Sequence, residues 1–222
     1  MNPHDFWQRI HPPGTFAPSR TFTDVYPAVF DDGRQLPLPI RALPDGKHAV
    51  ASLIINQASF AVVEAIATDL ADKLRRIGPE IVVGVPTLGL TLAAAVAQRI
   101  GHARYIPLGT SRKFWYQEEL SVALSSITSP DIQKRLYIDP RMVALLHGRR
   151  VALIDDVISS GVSLAAAIRL LALCGCAPLA FAVAMVQSDR WRGPLGEMPT
   201  DRILSTVRTP LLTRNQDGTW SA

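Results

Sequence analysis

Four short apolar runs constrain the fold of this chain more than any other feature. EIVVGVP (80–86), ARYIPL (103–108), RRVALID (149–155) and APLAFAVAMVQ (177–187) have strand length and few polar interruptions. A strand that is apolar on successive residues is buried on both faces, as in a sheet covered by helices. Helical patterns separate the runs: TLGLTLAAAVAQRIG (87–101), PRMVALLHG (140–148) and GVSLAAAIRLLALCG (161–175). Strands alternating with helices imply right-handed βαβ units. The expected fold is therefore α/β, an open, mostly parallel twisted sheet flanked by helices. A further helix is expected over 58–77, where Val62, Ile66, Leu70, Leu74 and Ile77 form one apolar stripe and Gly78-Pro79 ends it.

The ends of the chain read differently. Residues 1–24 form an irregular arm rich in proline and aromatics. YPAVFDDGRQLPLPIRAL reads as a β-hairpin turning at Asp31-Asp32-Gly33. The tail from Ser188, with Trp191 and Trp220, reads as a separate small lid. The expected organisation is an arm and hairpin over 1–50, a core over 51–187 and a tail over 188–222. Within the core, Gly109 to Asp139 is long and polar, and connections of that length are usually functional.

Composition narrows the function classes. The net charge of +4, from 23 basic and 19 acidic residues, is scattered, and no basic stripe or module argues for nucleic acid. No run approaches the roughly 20 apolar residues of a membrane helix, and the N-terminus lacks an apolar signal core. A cytoplasmic protein without nucleic-acid or membrane partners is expected. Cys174 and Cys176 stand alone without nearby ligands, so they read as buried thiols rather than a metal site.

The chemistry concentrates in VALIDDVISSGVSL (151–164). Successive strand residues face opposite sides, so Asp155 and Asp156 do not both fit inside a covered sheet. Burying an unpaired carboxylate costs several kcal/mol, so the strand should end near them. The carboxyl edge of an open α/β sheet is where ligands bind. The hydroxyl-rich segment Ser159-Ser160-Gly161-Val162-Ser163 then leads into a helix, whose free N–H groups attract phosphate. Carboxylates only accept hydrogen bonds and so suit sugar hydroxyls. A ribose 5-phosphate meets both needs. The structural alternative is an acidic strand end with an ordinary helix cap at Ser160 or Ser163.

This stretch resembles the phosphoribosyl pyrophosphate (PRPP) signature of type I phosphoribosyltransferases: strand, two acids, two apolar residues, then small and hydroxyl residues around a glycine. The resemblance implies the type I fold with a small irregular hood built from the termini. It implies that Asp155 and Asp156 hold the ribose hydroxyls and that Ser159, Ser160, Gly161, Val162 and Ser163 bind the 5-phosphate. The loop after the first core strand, with Pro86, Thr87, Leu88 and Gly89, matches the family's pyrophosphate loop in position. The 109–139 segment matches its mobile loop, and Arg112, Lys113 or Lys134 would stabilise charge on departing pyrophosphate. Arg112 or Lys113 would act across a homodimer. Magnesium is implied as the companion of PRPP, without a side-chain ligand cluster.

The resemblance also bears on the acceptor base. Transferases for 6-oxopurines often carry an acid at the position held here by Ser159, which favours an adenine-like enzyme. Val162 departs from the glycine typical of adenine enzymes. Trp191 is a candidate for stacking on the base, with packing of the tail as its alternative. An orotate enzyme and a PRPP-binding regulator are the competing readings.

Overall fold

A computed structural model describes residues 2–124, 134–196 and 200–222 of the chain. Strands β1 (Thr21–Phe22), β2 (Val25–Val29), β3 (Gln35–Ala42) and β4 (His48–Ala51) precede helix α1 (Phe60–Ile77). Then come β5 (Ile81–Gly84), α2 (Gly89–Arg99), β6 (Ile106–Pro107), β7 (Ser121–Ala123), β8 (Arg135–Tyr137) and α3 (Pro140–Val143). They are followed by β9 (Val151–Ile158), α4 (Val162–Leu173), β10 (Ala180–Gln187) and α5 (Arg192–Leu195). The chain closes with β11 (Ile203–Thr209), β12 (Leu211–Arg214) and β13 (Trp220–Ser221).

The core is a parallel sheet in the order β11-β10-β9-β5-β6. Its faces are closed by two apolar clusters. Val62, Ile66, Leu70 and Leu74 of α1 and Leu92 and Val96 of α2 meet Ala152, Ile154 and Ala182 of the sheet. On the other face Leu164, Ala167, Leu170 and Leu171 of α4 meet Val151, Leu153, Phe181 and Val183. The α1 stripe read from the sequence is thus the buried one. Its helix starts where the Ser59 side chain accepts a hydrogen bond from the Val62 N–H, and stops at left-handed Gly78. Cys174 and Cys176 are buried free thiols.

Three expectations are corrected. The tail is no separate lid: β11, from within it, is the outer strand of the parallel sheet, paired with β10 from Phe181↔Ile203 to Gln187↔Thr209. Nor is the hood irregular. The hairpin β2–β3, which turns at Asp31-Asp32-Gly33 as read, joins β1, β4, β12 and β13 in one antiparallel sheet in the order β1-β13-β12-β4-β3-β2. The pairing of β4 with β12, Leu211↔Val50 through Thr213↔His48, brings the two ends of the chain together. Finally, the acid pair lies inside β9, which runs on to Ile158. What ends there is the neighbouring strand: β5 stops at Gly84, opposite Ile154, so β9 projects past it.

Candidate active site

The order of the core strands makes a crevice at this projection. From β5 the chain passes to β6 on one side, then returns by a long connection to β9 on the other side of β5. Open α/β sheets bind ligands at such a switch point, outside the carboxyl ends of the strands. Two loops flank it, 85–88 after β5 and 159–161 after β9.

Asp155 and Asp156 form one wall. Asp155 is 6% exposed, and its Oδ1 accepts the Asp156 backbone N–H at 2.8 Å. Burial, and after it the adjacent Asp156 carboxyl, push Asp155 well above the ordinary aspartate range. Burial raises Asp156 too, while its hydrogen bond with Asp155 and the Val157 backbone N–H oppose that rise. Burial thus raises both carboxyls above the ordinary aspartate range, and the adjacent Asp156 raises Asp155 further.

The loop after β5 closes against this wall. The Val85 N–H donates to the Ile154 carbonyl at 2.8 Å, and the Pro86–Thr87 peptide is cis. Helix α2 begins at Gly89 without a side-chain cap. A Cβ on Gly89 would stand 2.7 Å from Asp155 Oδ1 and 2.8 Å from its Cα. A glycine is what lets the start of α2 approach β9 this closely. Of the candidates Pro86, Thr87, Leu88 and Gly89, it is Gly89 that packs directly against Asp155.

The loop after β9 turns at Gly161, whose φ of +80° is left-handed. A Cβ there would also meet the Trp191 carbonyl oxygen at 3.0 Å. Asp155, Ser159, Ser160, Gly161 and Ser163 help line a small cavity of about 80 Å³ at this turn. Helix α4 starts with Val162, and no side chain caps it. The helix-cap alternative for Ser160 and Ser163 is therefore absent, and the first N–H groups of α4 lack an internal partner. Ser159 is held differently. Its hydroxyl donates to Gln187 Oε1 at 2.6 Å, while Gln187 Nε2 donates to the Ala51 carbonyl at 2.6 Å. Arg190 Nη2 in turn donates to Ser159 Oγ at 3.1 Å.

The remaining sequence candidates fall elsewhere. Trp191 is fully buried in the apolar cluster around α4, which is the packing alternative and leaves no ring face for a base. Its indole meets the Arg192 guanidinium, centred 4.8 Å from the ring. In the 109–139 segment, residues 125–133 lie outside the described residues. The hairpin β7–β8 is tied to α4 by Arg169 Nη2, which donates to the Ala123 carbonyl at 3.2 Å. Arg112 pairs with Glu118 at 3.3 Å, and Lys113 and Lys134 are exposed. Among the described residues no ion pair or hydrogen bond joins these three cations to the acid pair.

Sequence reasoning missed Gln187, Ser188 and Arg190. The sequence signal was Gln187, the first polar residue at the end of an otherwise apolar strand; the structure adds that Ser188 takes a left-handed φ of +59°. They sit at the carboxyl edge of the sheet, where polar residues face ligands.

This α/β sheet carries an acid pair and a small-residue loop at its switch point, where open α/β sheets bind ligands. The phosphoribosyl transferase domain family matches residues 49–209, and the chain belongs to it; its activity is phosphoribosyl transfer, a pentosyltransferase reaction. An adenine phosphoribosyltransferase of Frankia alni is 30% identical over 180 residues, spanning 78% of this chain and 84% of the relative. One of a Parafrankia species is 32% identical over 143 residues, 61% of this chain and 68% of the relative. The fold is that of the Giardia lamblia enzyme solved with 9-deazaadenine, at TM-score 0.60 and 21% identity over 77% of this chain and 93% of that one. The Saccharomyces cerevisiae enzyme follows at TM-score 0.58 and 17% identity, covering 77% of this chain and 94% of that one.

Proposed function

We propose that this chain transfers the ribose 5-phosphate of PRPP to an adenine-like purine, releasing pyrophosphate and forming a nucleoside 5′-monophosphate. The observation that carries the reading is the convergence of three segments on one crevice: Asp155-Asp156, the loop from Ser159 to Ser163, and the loop from Pro86 to Gly89. Asp155 and Asp156 hold the ribose hydroxyls, which donate hydrogen bonds to carboxylate oxygen. The backbone N–H groups at the start of α4, with Ser160 and Ser163, take the 5-phosphate. The N–H groups near Gly89 take the pyrophosphate. Opposed loops hold the sugar carbon in line between the base nitrogen and the leaving oxygen, so positioning and charge stabilisation supply the rate.

The donor set fits magnesium brought with PRPP. Magnesium keeps much of its water and uses one or two carboxylates with substrate phosphates. Asp156 would be the protein's carboxylate, and no group of three or more potential ligand side chains occurs among the described residues. When bound, magnesium supplies neutralisation of the pyrophosphate charge. Arg112, Lys113 and Lys134 add cations when the 109–139 segment closes. A homodimer fits the exposure of Arg112, Lys113 and Phe114, the last 96% exposed, since a second subunit would cover that surface. A cytoplasmic location accords with the absence, among the described residues, of a helix long and apolar enough to cross a membrane. The hood sheet would supply the base contacts.

The test is pyrophosphate release with PRPP, magnesium and one base at a time: adenine, guanine, hypoxanthine, xanthine, orotate or uracil. Release with adenine alone is the expected result. Release with orotate or a 6-oxopurine instead would overturn the acceptor. PRPP binding without release for any base would favour a PRPP-binding regulator.

A further inference from the structure

The PRPP-like motif has an electrostatic deficit. Residues 151–164 contain two aspartates and no lysine or arginine, yet the proposed ligand carries a phosphate monoester, itself doubly charged near neutrality. Helix N–H groups attract such a group, but a carboxylate nearby opposes it.

The hydrogen bonds at Ser159 point to the missing cation. The Ala51 carbonyl can only accept, so the nitrogen of the Gln187 amide must face it, as placed at 2.6 Å. Gln187 Oε1 then faces Ser159, and at 2.6 Å the only available proton is the serine's own. Gln187 is 7% exposed, so water does not compete easily for this bond. A serine has one proton. Ser159 therefore presents acceptor lone pairs to its surroundings, and Arg190 Nη2 donates to them at 3.1 Å.

Arg190 is further oriented by Ser188, whose left-handed backbone turns the chain after β10, and whose Oγ lies 3.4 Å from Arg190 Nε. Among the described residues Arg190 has no carboxylate partner: the neighbouring Asp189 pairs with Arg192. Two of the five N–H donors of its guanidinium meet hydroxyls, and the others remain open. Arg190 lines a cavity of about 710 Å³ at the ends of β10 and β11, and Ser159, to which it donates, lines the small cavity at Gly161.

We propose that Arg190 is a ligand-binding residue for the 5-phosphate of the ribose substrate, and that Ser159 and Gln187 are positioning residues that aim it rather than donors to phosphate. The inference rests on the sugar-phosphate reading above and assigns the charge that the motif itself lacks. The chain runs Ala51 carbonyl, Gln187 amide, Ser159 hydroxyl, Arg190 guanidinium, with every proton directed toward the hood.

Calorimetry with ribose 5-phosphate, and separately with inorganic pyrophosphate, tests it on the full chain. Arg190 is exposed, so R190A should fold. It is expected to weaken ribose 5-phosphate about 10- to 100-fold, the range of a charge-assisted hydrogen bond, and to leave pyrophosphate within about twofold. R190K should recover part of the loss, because it keeps the charge without the fork. S159A should lose a similar factor, and the double variant S159A/R190A should lose no more than R190A. Unchanged ribose 5-phosphate binding in R190A would overturn the inference alone. Full additivity in the double variant would overturn the positioning role and return Ser159 to direct phosphate donation. Failure of the unaltered protein to bind ribose 5-phosphate would overturn both this inference and the sugar-phosphate reading.

Discussion

Gly89 and Asp155 meet where no side chain fits between them: a Cβ at position 89 would lie 2.7 Å from Asp155 Oδ1 and 2.8 Å from its Cα. One of these contacts is backbone, which cannot swing aside. The start of α2 and strand β9 are spaced by this pair.

Gly89→Ala should therefore act on both stability and activity. Overpacking costs about 1–3 kcal/mol, read as a shift in the urea midpoint. Turnover with PRPP should fall at least about tenfold, because small misplacements at a reacting centre are costly. Wild-type kinetics in a folded G89A protein would contradict this spacing.

Asp155 predicts a pH dependence. Its folded value lies above the ordinary 3.8, raised first by burial and then by Asp156. The folded state thus holds a proton that the unfolded chain releases. Stability from this group is full below pH 3.8 and declines as pH rises from there toward the raised folded value. Asp155→Asn imitates the neutral acid, so its stability relative to wild type should improve as pH rises above 3.8. Ribose 5-phosphate binding should weaken, since an amide oxygen is a weaker acceptor for sugar hydroxyls than a carboxylate and its NH₂ accepts nothing. Parallel stability curves for the two proteins would contradict the assignment.

Gly161→Ala combines two penalties. The residue has φ +80°, and the left-handed region costs other residues about 1–2 kcal/mol. Its Cβ would also press the Trp191 carbonyl at 3.0 Å. Loss of stability of at least about 1 kcal/mol is expected by chemical denaturation, with loss of ribose 5-phosphate affinity by calorimetry.

Lys113→Ala and Lys134→Ala distinguish closure from ground-state binding. Cations that act on departing pyrophosphate should lower kcat about tenfold or more, with PRPP affinity changed less than about twofold. Unchanged turnover in both variants would remove these cations from the reaction.

Much of the core was legible because its signals are local. The α1 stripe repeats every turn of helix, the β2–β3 hairpin announces itself at Asp31-Asp32-Gly33, and Asp155, Asp156 and Ser159 to Ser163 follow each other along the chain. Other parts were hidden because they depend on partners far apart in sequence. Trp191 offers an aromatic ring to any reader of the sequence, yet packing behind Gly161 removes it from solvent. Arg190 reads as one more surface charge until Ser159 is placed 3.1 Å from it, 31 positions away in the chain.

The sequence by itself determined the parallel α/β architecture and set the acid pair beside its hydroxyl-rich loop, because apolar periodicity and adjacent residue types are properties of short segments. Only the tertiary structure decided that β11 from the tail completes the core sheet and that β4 joins β12 to make the hood. It alone decided that the acids stay within β9 and open into a crevice because β5 stops at Gly84. Each of these is a choice of strand neighbours, set by burial and backbone pairing over the whole molecule rather than by any local pattern.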